Sequence, residues 1–384
     1  MTAFRIPLSD VTLGEEEALA VAQVVRSGWL TLGPEVRAFE EEFAEFVGVE
    51  GAVAVSNGTA ALHLALHALG VQAGAEVIVP SLSFVATANS VVLAGGTPIF
   101  ADVLSSTELT LDPGHVRSLI TPRTVGVTAM HYGGRPARMA ELQEICRAHN
   151  LFLLEDAAHG VGGYLGDEAL GTVGDAGCFS FFGNKNMTTG EGGMVVAKDP
   201  GVLEGVRLAR SHGMTAASWD RFAGHAWEYD VIAPGYNYRP TEITGAMGRI
   251  QLGRLPGNVA RRRELLDVYA RELGCDHRGV GEGLVLHPWG ERGAAHLCVI
   301  LLTDPGARDP LRTALADAGI QTSIHYPPSH LFRHYRESQG TGPGDLPVTE
   351  DVARRMVTLP LYPRLSDEQV GGIASEIRSF LGPS

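Results

Sequence analysis

The sequence predicts an α/β protein in two parts: a large domain built on a mainly parallel, mixed sheet flanked by helices, and a smaller α+β domain after it. Three observations carry this reading. Between residues 52 and 197 short apolar runs alternate with helical stretches, the pattern of strands joined by crossover helices. The runs are apolar at successive positions rather than at every second one, as in strands covered on both faces. After about residue 245 the alternation gives way to an arginine-rich helical stretch, then a strand and further helices. A chain of 384 residues, 45% hydrophobic, is long enough to bury two such cores.

Taken in order, residues 1–12 form an N-terminal arm, and 13–26 (LGEEEALAVAQVVR) and 37–47 read as amphipathic helices. Strand 52–56 (AVAVS) leads to a helix at 61–70 closed by Gly70, and strand 76–80 (EVIVP) to a helix at 86–95. Segments 97–103, 124–132 and 151–156 are strands, with a helix over 138–149 before the last. Strands 178–182 and 192–197 complete the large domain, placed at 1–250. The small domain is placed at 251–384. GAMGRIQLGRL and NVARRRELLDVYARELG read as one long, interrupted helix across its entry. AAHLCVILL is a strand, and DPLRTALADAGI and 366–381 are helices. The Gly- and Pro-rich segments 276–292 and 339–347 read as loops.

Composition narrows the function. Charged residues make up 19% and the net charge is −14, which argues against wholesale nucleic-acid binding while leaving room for a small basic pocket. The N-terminus shows no apolar signal region, and no run is long enough to span a membrane. Cys146, Cys178, Cys275 and Cys298 are widely spaced, as in a reduced compartment. The expected location is the cytoplasm. Only two of the 30 basic residues are lysines, Lys185 and Lys198. Arginine stays protonated and forms no imine, so any lysine-dependent covalent chemistry must use one of these two.

Ligands of open α/β sheets bind at the carboxyl ends of strands, which directs attention to three junctions. Ser56-Asn57-Gly58-Thr59-Ala60 runs straight into a helix, whose N-terminus suits a phosphate; small residues there also simply cap helices. Asp156 ends an apolar strand, where a carboxylate needs a partner such as a cationic ring nitrogen, or else caps the next turn. Lys185 follows a buried strand in SFFGNKNMTTGEGG, where desolvation lowers amine basicity. Lys198, in AKDPG, reads as a solvated turn. GVGGYLG (160–166) fails the dinucleotide pattern. His63 with His67, and His325 with His330 and His334, lack the company expected of metal ligands, so no metal is expected.

The stretches SNGTAAL, PSLSFVATANSV, EDAAHGVGG, SFFGNKNMTTGEGG, GYNYRPTEITGAMGRIQL, HYPP and LPLYP resemble, in order and over nearly the whole chain, the DegT/StrS family of sugar aminotransferases, fold type I. The resemblance implies pyridoxal 5′-phosphate as cofactor, with pyridoxamine 5′-phosphate as its intermediate form. Lys185 matches the Schiff-base lysine and Asp156 the residue facing the pyridine nitrogen. Phe84 matches the aromatic stacked on the ring, and His159 the neighbour of its hydroxyl. Gly58, Thr59 and Ser180 match the phosphate cradle. Asn237 resembles an asparagine that reaches the phosphate from the neighbouring subunit, implying a homodimer with shared sites, and Arg239 is the candidate for a substrate diphosphate. Pro240 departs from the family, which often carries methionine there. Related dehydratases have histidine at the lysine position, so Lys185 favours transamination. Met130-His131-Tyr132-Gly133-Gly134 looks more like members that aminate C4 of the sugar. The implied reaction moves an amino group from an amino acid, L-glutamate, to a keto sugar, a nucleoside-diphosphate 4-keto-6-deoxyhexose. A cyclitol aminotransferase and a non-catalytic pyridoxal-phosphate sensor are the alternatives.

Overall fold

Strands form where the apolar runs predict them. The computed structural model describes residues 4–215 and 228–382. In chain order the first eleven strands are β1 (Ala52–Val55), β2 (Glu76–Pro80), β3 (Thr97–Ala101), β4 (Val103–Ser105), β5 (Glu108–Leu111), β6 (Thr124–Met130), β7 (Phe152–Asp156), β8 (Tyr164–Leu165), β9 (Glu168–Ala169), β10 (Ala176–Ser180) and β11 (Gly193–Ala197). Seven of them make one sheet in the order β1-β11-β10-β7-β6-β2-β3. β11 runs antiparallel to both its neighbours, and the other pairings are parallel. The sheet is therefore mixed and mainly parallel.

Both faces are covered, which is why the strands lack a polar alternation. On one face the helix Gly58–Ala68 and the helix Pro200–Ala209 pack through Ala61, Leu64, Ala65, Leu203 and Val206. On the other the helix Pro34–Val47 packs Val36, Phe39 and Phe43 against Phe179 and Phe181.

The pairing register gathers the strand ends. Val55 and Ser180 both stand opposite Gly193, while Cys178 and Met130 both stand opposite Asp156. β1, β6, β7 and β10 point the same way, so the turn after β1, Asp156 and the loop after β10 share one edge of the sheet.

The long helix departs from expectation by being continuous. It spans Glu242–Glu272 with Pro256 inside it. A proline within a helix costs about 3 kcal/mol, and burial along the whole length offsets it. Gly245 and Gly248 allow the first half to lie against Val36 and Phe39, where an added Cβ would come within 2.5 Å and 2.6 Å of their atoms. Leu265, Leu266, Val268 and Tyr269 of the second half enter a separate core with Leu286, Ile300 and Leu311. That core covers a second sheet, β12 (Val280–Gly281), β13 (Leu284–Leu286), β14 (Cys298–Leu302) and β15 (Met356–Leu359), paired antiparallel in that order. The segment 276–292 is thus not only loop: strands of two and three residues are too short to show a period. The helices Arg308–Asp317 and Asp367–Leu381 stand as expected.

Among the described residues no helix is long and apolar enough to cross a membrane, no cluster of His, Cys, Asp or Glu is arranged to hold a metal ion, and the four cysteines are unbridged.

Candidate active site

The turn after β1 is built as a helix N-terminus. Asn57 caps the helix Gly58–Ala68, its side-chain oxygen accepting from the Ala60 amide at 2.8 Å, so the amides of Gly58 and Thr59 head the first turn. Capping and anion binding, open alternatives in the sequence, are compatible here because Asn57 satisfies Ala60 and leaves the first two amides. Ser180, at the end of β10, lies beside this turn: a Cβ on Gly58 would sit 2.8 Å from the Ser180 Cβ. The glycine is what keeps open the space between the helix start and the serine, where two backbone amides and a hydroxyl offer the donors that suit an anion.

Asp156 ends β7, buried to 3% exposure. Its Oδ1 accepts from the Ala158 amide at 3.1 Å and its Oδ2 from the Thr87 hydroxyl at 2.6 Å. A carboxylate only accepts, so the Ser83 hydroxyl, 2.6 Å from Thr87 Oγ1, donates to Thr87. Ser83 and Thr87 flank Phe84, whose ring is exposed and leans on Tyr326 at 5.9 Å between centroids. One short segment therefore presents an aromatic face and also fixes the carboxylate. Glu155, on the opposite face of the strand, is taken up by structure: it accepts from His131 Nε2 at 2.7 Å and from the amides of Gly171 and Gly174.

Lys185 lies five residues past β10, its amide donating to the Phe182 carbonyl at 2.9 Å. Burial pulls its amine down to about 8, opposed by the Asp156 carboxylate. Lys198 is exposed and donates to the Val173 carbonyl at 2.6 Å, away from these groups. Around Lys185 stand three imidazoles. His159 is held well below its usual range first by burial and then by Lys185; burial, with Lys185 and Arg262 nearby, lowers His296 likewise; His325 is pulled down to about 4, first by burial and then by Lys185. The Gly133 amide donates to His159 Nδ1 at 3.3 Å, so the proton of the neutral ring lies on Nε2, which donates to the Tyr326 hydroxyl at 2.9 Å. His296 packs on His159 at 4.3 Å and donates from Nδ1 to Asn186 Oδ1, whose amide nitrogen donates to Ala294. That pins the residue after Lys185 to the segment that leads into β14.

The structure thus brings together Gly58, Thr59, Ser180, Asp156, Phe84, His159 and Lys185. Among the described residues no hydrogen bond or ion pair joins Asn237 or Arg239 to them. Asn237 is exposed, in an isolated bridge with Ser211, and Arg239 is half-buried, lowered first by its own burial and then by the charge of Arg210. The Met130–Gly134 stretch is bonded into the fold. His131 is wholly buried against Glu155, Tyr132 Oη donates to the His325 carbonyl, and Gly133, in the left-handed region at φ 64°, turns its amide to His159. Sequence reasoning missed Ser83, Thr87, Asn186, His296 and Tyr326. Ser83, Thr87, Asn186 and Tyr326 sit inside motifs that point to the site. No local signal marks His296, which arrives just before β14 of the second sheet.

The family profile described as "DegT/DnrJ/EryC1/StrS aminotransferase family" matches residues 11–378. The chain is 38% identical over 384 residues to the spore coat polysaccharide biosynthesis protein SpsC of Bacillus subtilis (strain 168), covering 98% of this chain and 97% of that one. Its fold is similar to that of Spr1654 of Streptococcus pneumoniae in its PLP- and PMP-forms, at TM-scores of 0.89 and 0.90 and 27% identity. The matches cover 98% of this chain and 98% and 97% of those chains. It is similar as well to DesI, studied in the presence of its TDP-sugar product, at a TM-score of 0.86 and 29% identity, covering 99% and 93% of the two chains. A match across nearly the whole length, on a mixed sheet with a desolvated lysine at its carboxyl edge, leads to one conclusion: the chain belongs to the DegT/DnrJ/EryC1/StrS aminotransferase family, and it is a pyridoxal-phosphate-dependent aminotransferase of fold type I.

Proposed function

We propose that the enzyme transfers an amino group from an amino acid, L-glutamate, to the ketone of a nucleoside-diphosphate 4-keto-6-deoxyhexose. The observation that carries this reading is a lysine of lowered basicity on the same sheet edge as Asp156 and a glycine-opened phosphate cradle. Pyridoxal phosphate, when bound, supplies the electron sink that makes the donor's α-carbon acidic.

The chain's own residues do the rest. Gly58 and Thr59 amides with Ser180 hold the phosphate, and Phe84 offers its exposed face to the ring. Asp156 carries the negative charge that keeps a ring nitrogen protonated; at about 4 Å and an effective dielectric of about 20 that attraction is worth roughly 4 kcal/mol. Lys185 Nζ moves the proton. With its amine near 8, a usable share is neutral at physiological pH, so Nζ would take the proton from the donor's α-carbon and hand it to the bound cofactor within the same half-reaction, the reverse transfer serving the keto sugar. His159 is held neutral, its Nε2 proton engaged by Tyr326, so it orients rather than titrates.

Asn237 and Arg239 act, in this reading, in the partner subunit's site of a homodimer. Alternation along an extended segment supports it, since Tyr236 and Tyr238 pack inward while Asn237 is exposed. Arg239 would grip the substrate diphosphate, which a guanidinium can do bidentately. Arg239→Ala should then raise the KM for the sugar nucleotide more than that for glutamate.

Single-turnover loss of the pyridoxamine-form absorbance tests the substrate. A 4-keto sugar nucleotide should react faster than its 3-keto isomer or scyllo-inosose. Faster reaction of the inosose overturns the substrate class; faster reaction of the 3-keto isomer overturns the position alone.

A further inference from the structure

His63 and His67, four residues apart on one helix, take no part in the site described above. They face the two tyrosines that bracket Asn237. The His63 ring lies 4.7 Å from that of Tyr236 and 5.8 Å from that of Tyr238, and its Nδ1 is 3.3 Å from the Tyr238 hydroxyl. His67 meets Tyr236 edge-on at 6.1 Å, and the two tyrosines stack at 5.2 Å with their planes 10° apart. The backbone is bound as closely: the Ser56 amide donates to the Tyr238 carbonyl at 2.8 Å, and Tyr236 and Tyr238 amides donate to Ala209 and Arg210. The helix that carries the platform is the one whose first turn, Gly58 and Thr59, forms the phosphate cradle. Burial and neighbouring His67 push His63 below its ordinary value, which leaves a neutral ring suited to aromatic packing.

We infer that His63, with Tyr236 and Tyr238, is a positioning residue for Asn237, so that the helix cradling the phosphate in one site also presents the asparagine that grips the phosphate in the partner's site. This rests on the shared-site reading above. An exposed asparagine on a short extended segment would otherwise sample many directions. Two stacked rings seated on a helix face leave it one, and pre-orientation is what turns a hydrogen bond into affinity.

The test compares binding of pyridoxal phosphate and of pyridoxal, which lacks the phosphate, to the dimeric apo-enzyme by absorbance titration. The preference for the phosphate form isolates the cradle from the ring contacts. Asn237→Ala and His63→Ala should each cut that preference by about tenfold, the scale of a hydrogen bond to a charged group, with pyridoxal affinity unchanged. The double variant should lose no more than either single one, because both remove the same contact. His63→Phe, which keeps the stack, should restore most of the preference. If His63→Ala fails to fold, Tyr238→Leu removes the other ring of the same stack and should cut the preference in the same direction. A His63 or Tyr238 effect that strikes both ligands equally, or that adds to the Asn237 effect, overturns the positioning role and leaves the shared site standing. An Asn237→Ala enzyme with undiminished phosphate preference overturns both.

Discussion

At Lys185 two opposed effects set the chemistry. Removing an ammonium from water disfavours its charge, and the nearby Asp156 carboxylate restores part of it; the amine settles near 8 against an ordinary 10.5. With only two lysines in the chain, lysine-labelled apo-enzyme should give two Nζ resonances, and the one lost in Lys185→Met should titrate near 8. A midpoint above 10 would place that amine in water. The linkage has a definite sign. The unfolded chain keeps its proton up to about 10.5 while the folded site releases it near 8. Between these values the unfolded state binds more protons, and folding stability rises with pH. Relative to Lys185→Met, the apo-enzyme should gain stability across that window. Asp156→Asn tests the second charge. It should keep the cofactor yet lose about a thousandfold in turnover, the rate equivalent of about 4 kcal/mol. Activity within tenfold of the parent would reduce Asp156 to a cap on Ala158.

Elements bring these side chains to one place, and the register of the sheet does most of it. Because Val55, Gly193 and Ser180 align, the start of the helix Gly58–Ala68 abuts Ser180, and Gly58→Ala should close the cradle. The variant should bind pyridoxal phosphate more weakly while its affinity for pyridoxal is unchanged; equal loss of both would mean that the helix itself had shifted. Glu155→Gln should destabilise the fold by about 1–3 kcal/mol in urea titration, the cost of leaving one of the buried donors that Glu155 accepts from without its acceptor. A neutral result would show that the amides of Gly171 and Gly174 suffice. At this scale the sequence was most legible. The apolar runs revealed all seven strands of the large sheet, because burial on both faces leaves no choice of residue. The antiparallel entry of β11 was not legible, since an apolar strand reads the same in either direction. β12 and β13 were too short to show a period, and Pro256 suggested a break that burial of both halves overrides. The motif residues Asp156, Lys185 and Gly58 could be named from the chain. Thr87 and His296 could not, because what they touch is 69 and 110 residues away along the chain.

For the whole molecule, the shared-site proposal calls for two subunits per working site. The described part of one chain supplies Gly58, Thr59, Ser180, Asp156, Phe84 and Lys185, and leaves Asn237 exposed between the stacked Tyr236 and Tyr238. Mixing Lys185→Ala with Asn237→Ala protein after subunit exchange should create dimers with one intact site, with activity above that of either parent. Full activity in a protein shown to be monomeric would contradict the shared site.

Lys185 is the residue proposed to join the cofactor covalently, and that role is open to direct measurement. Borohydride reduction of the enzyme loaded with pyridoxal phosphate, followed by peptide mapping, should place one pyridoxyl group on the peptide containing Lys185 and none on that containing Lys198. A pyridoxyl group on Lys198, or on neither lysine, would contradict the account.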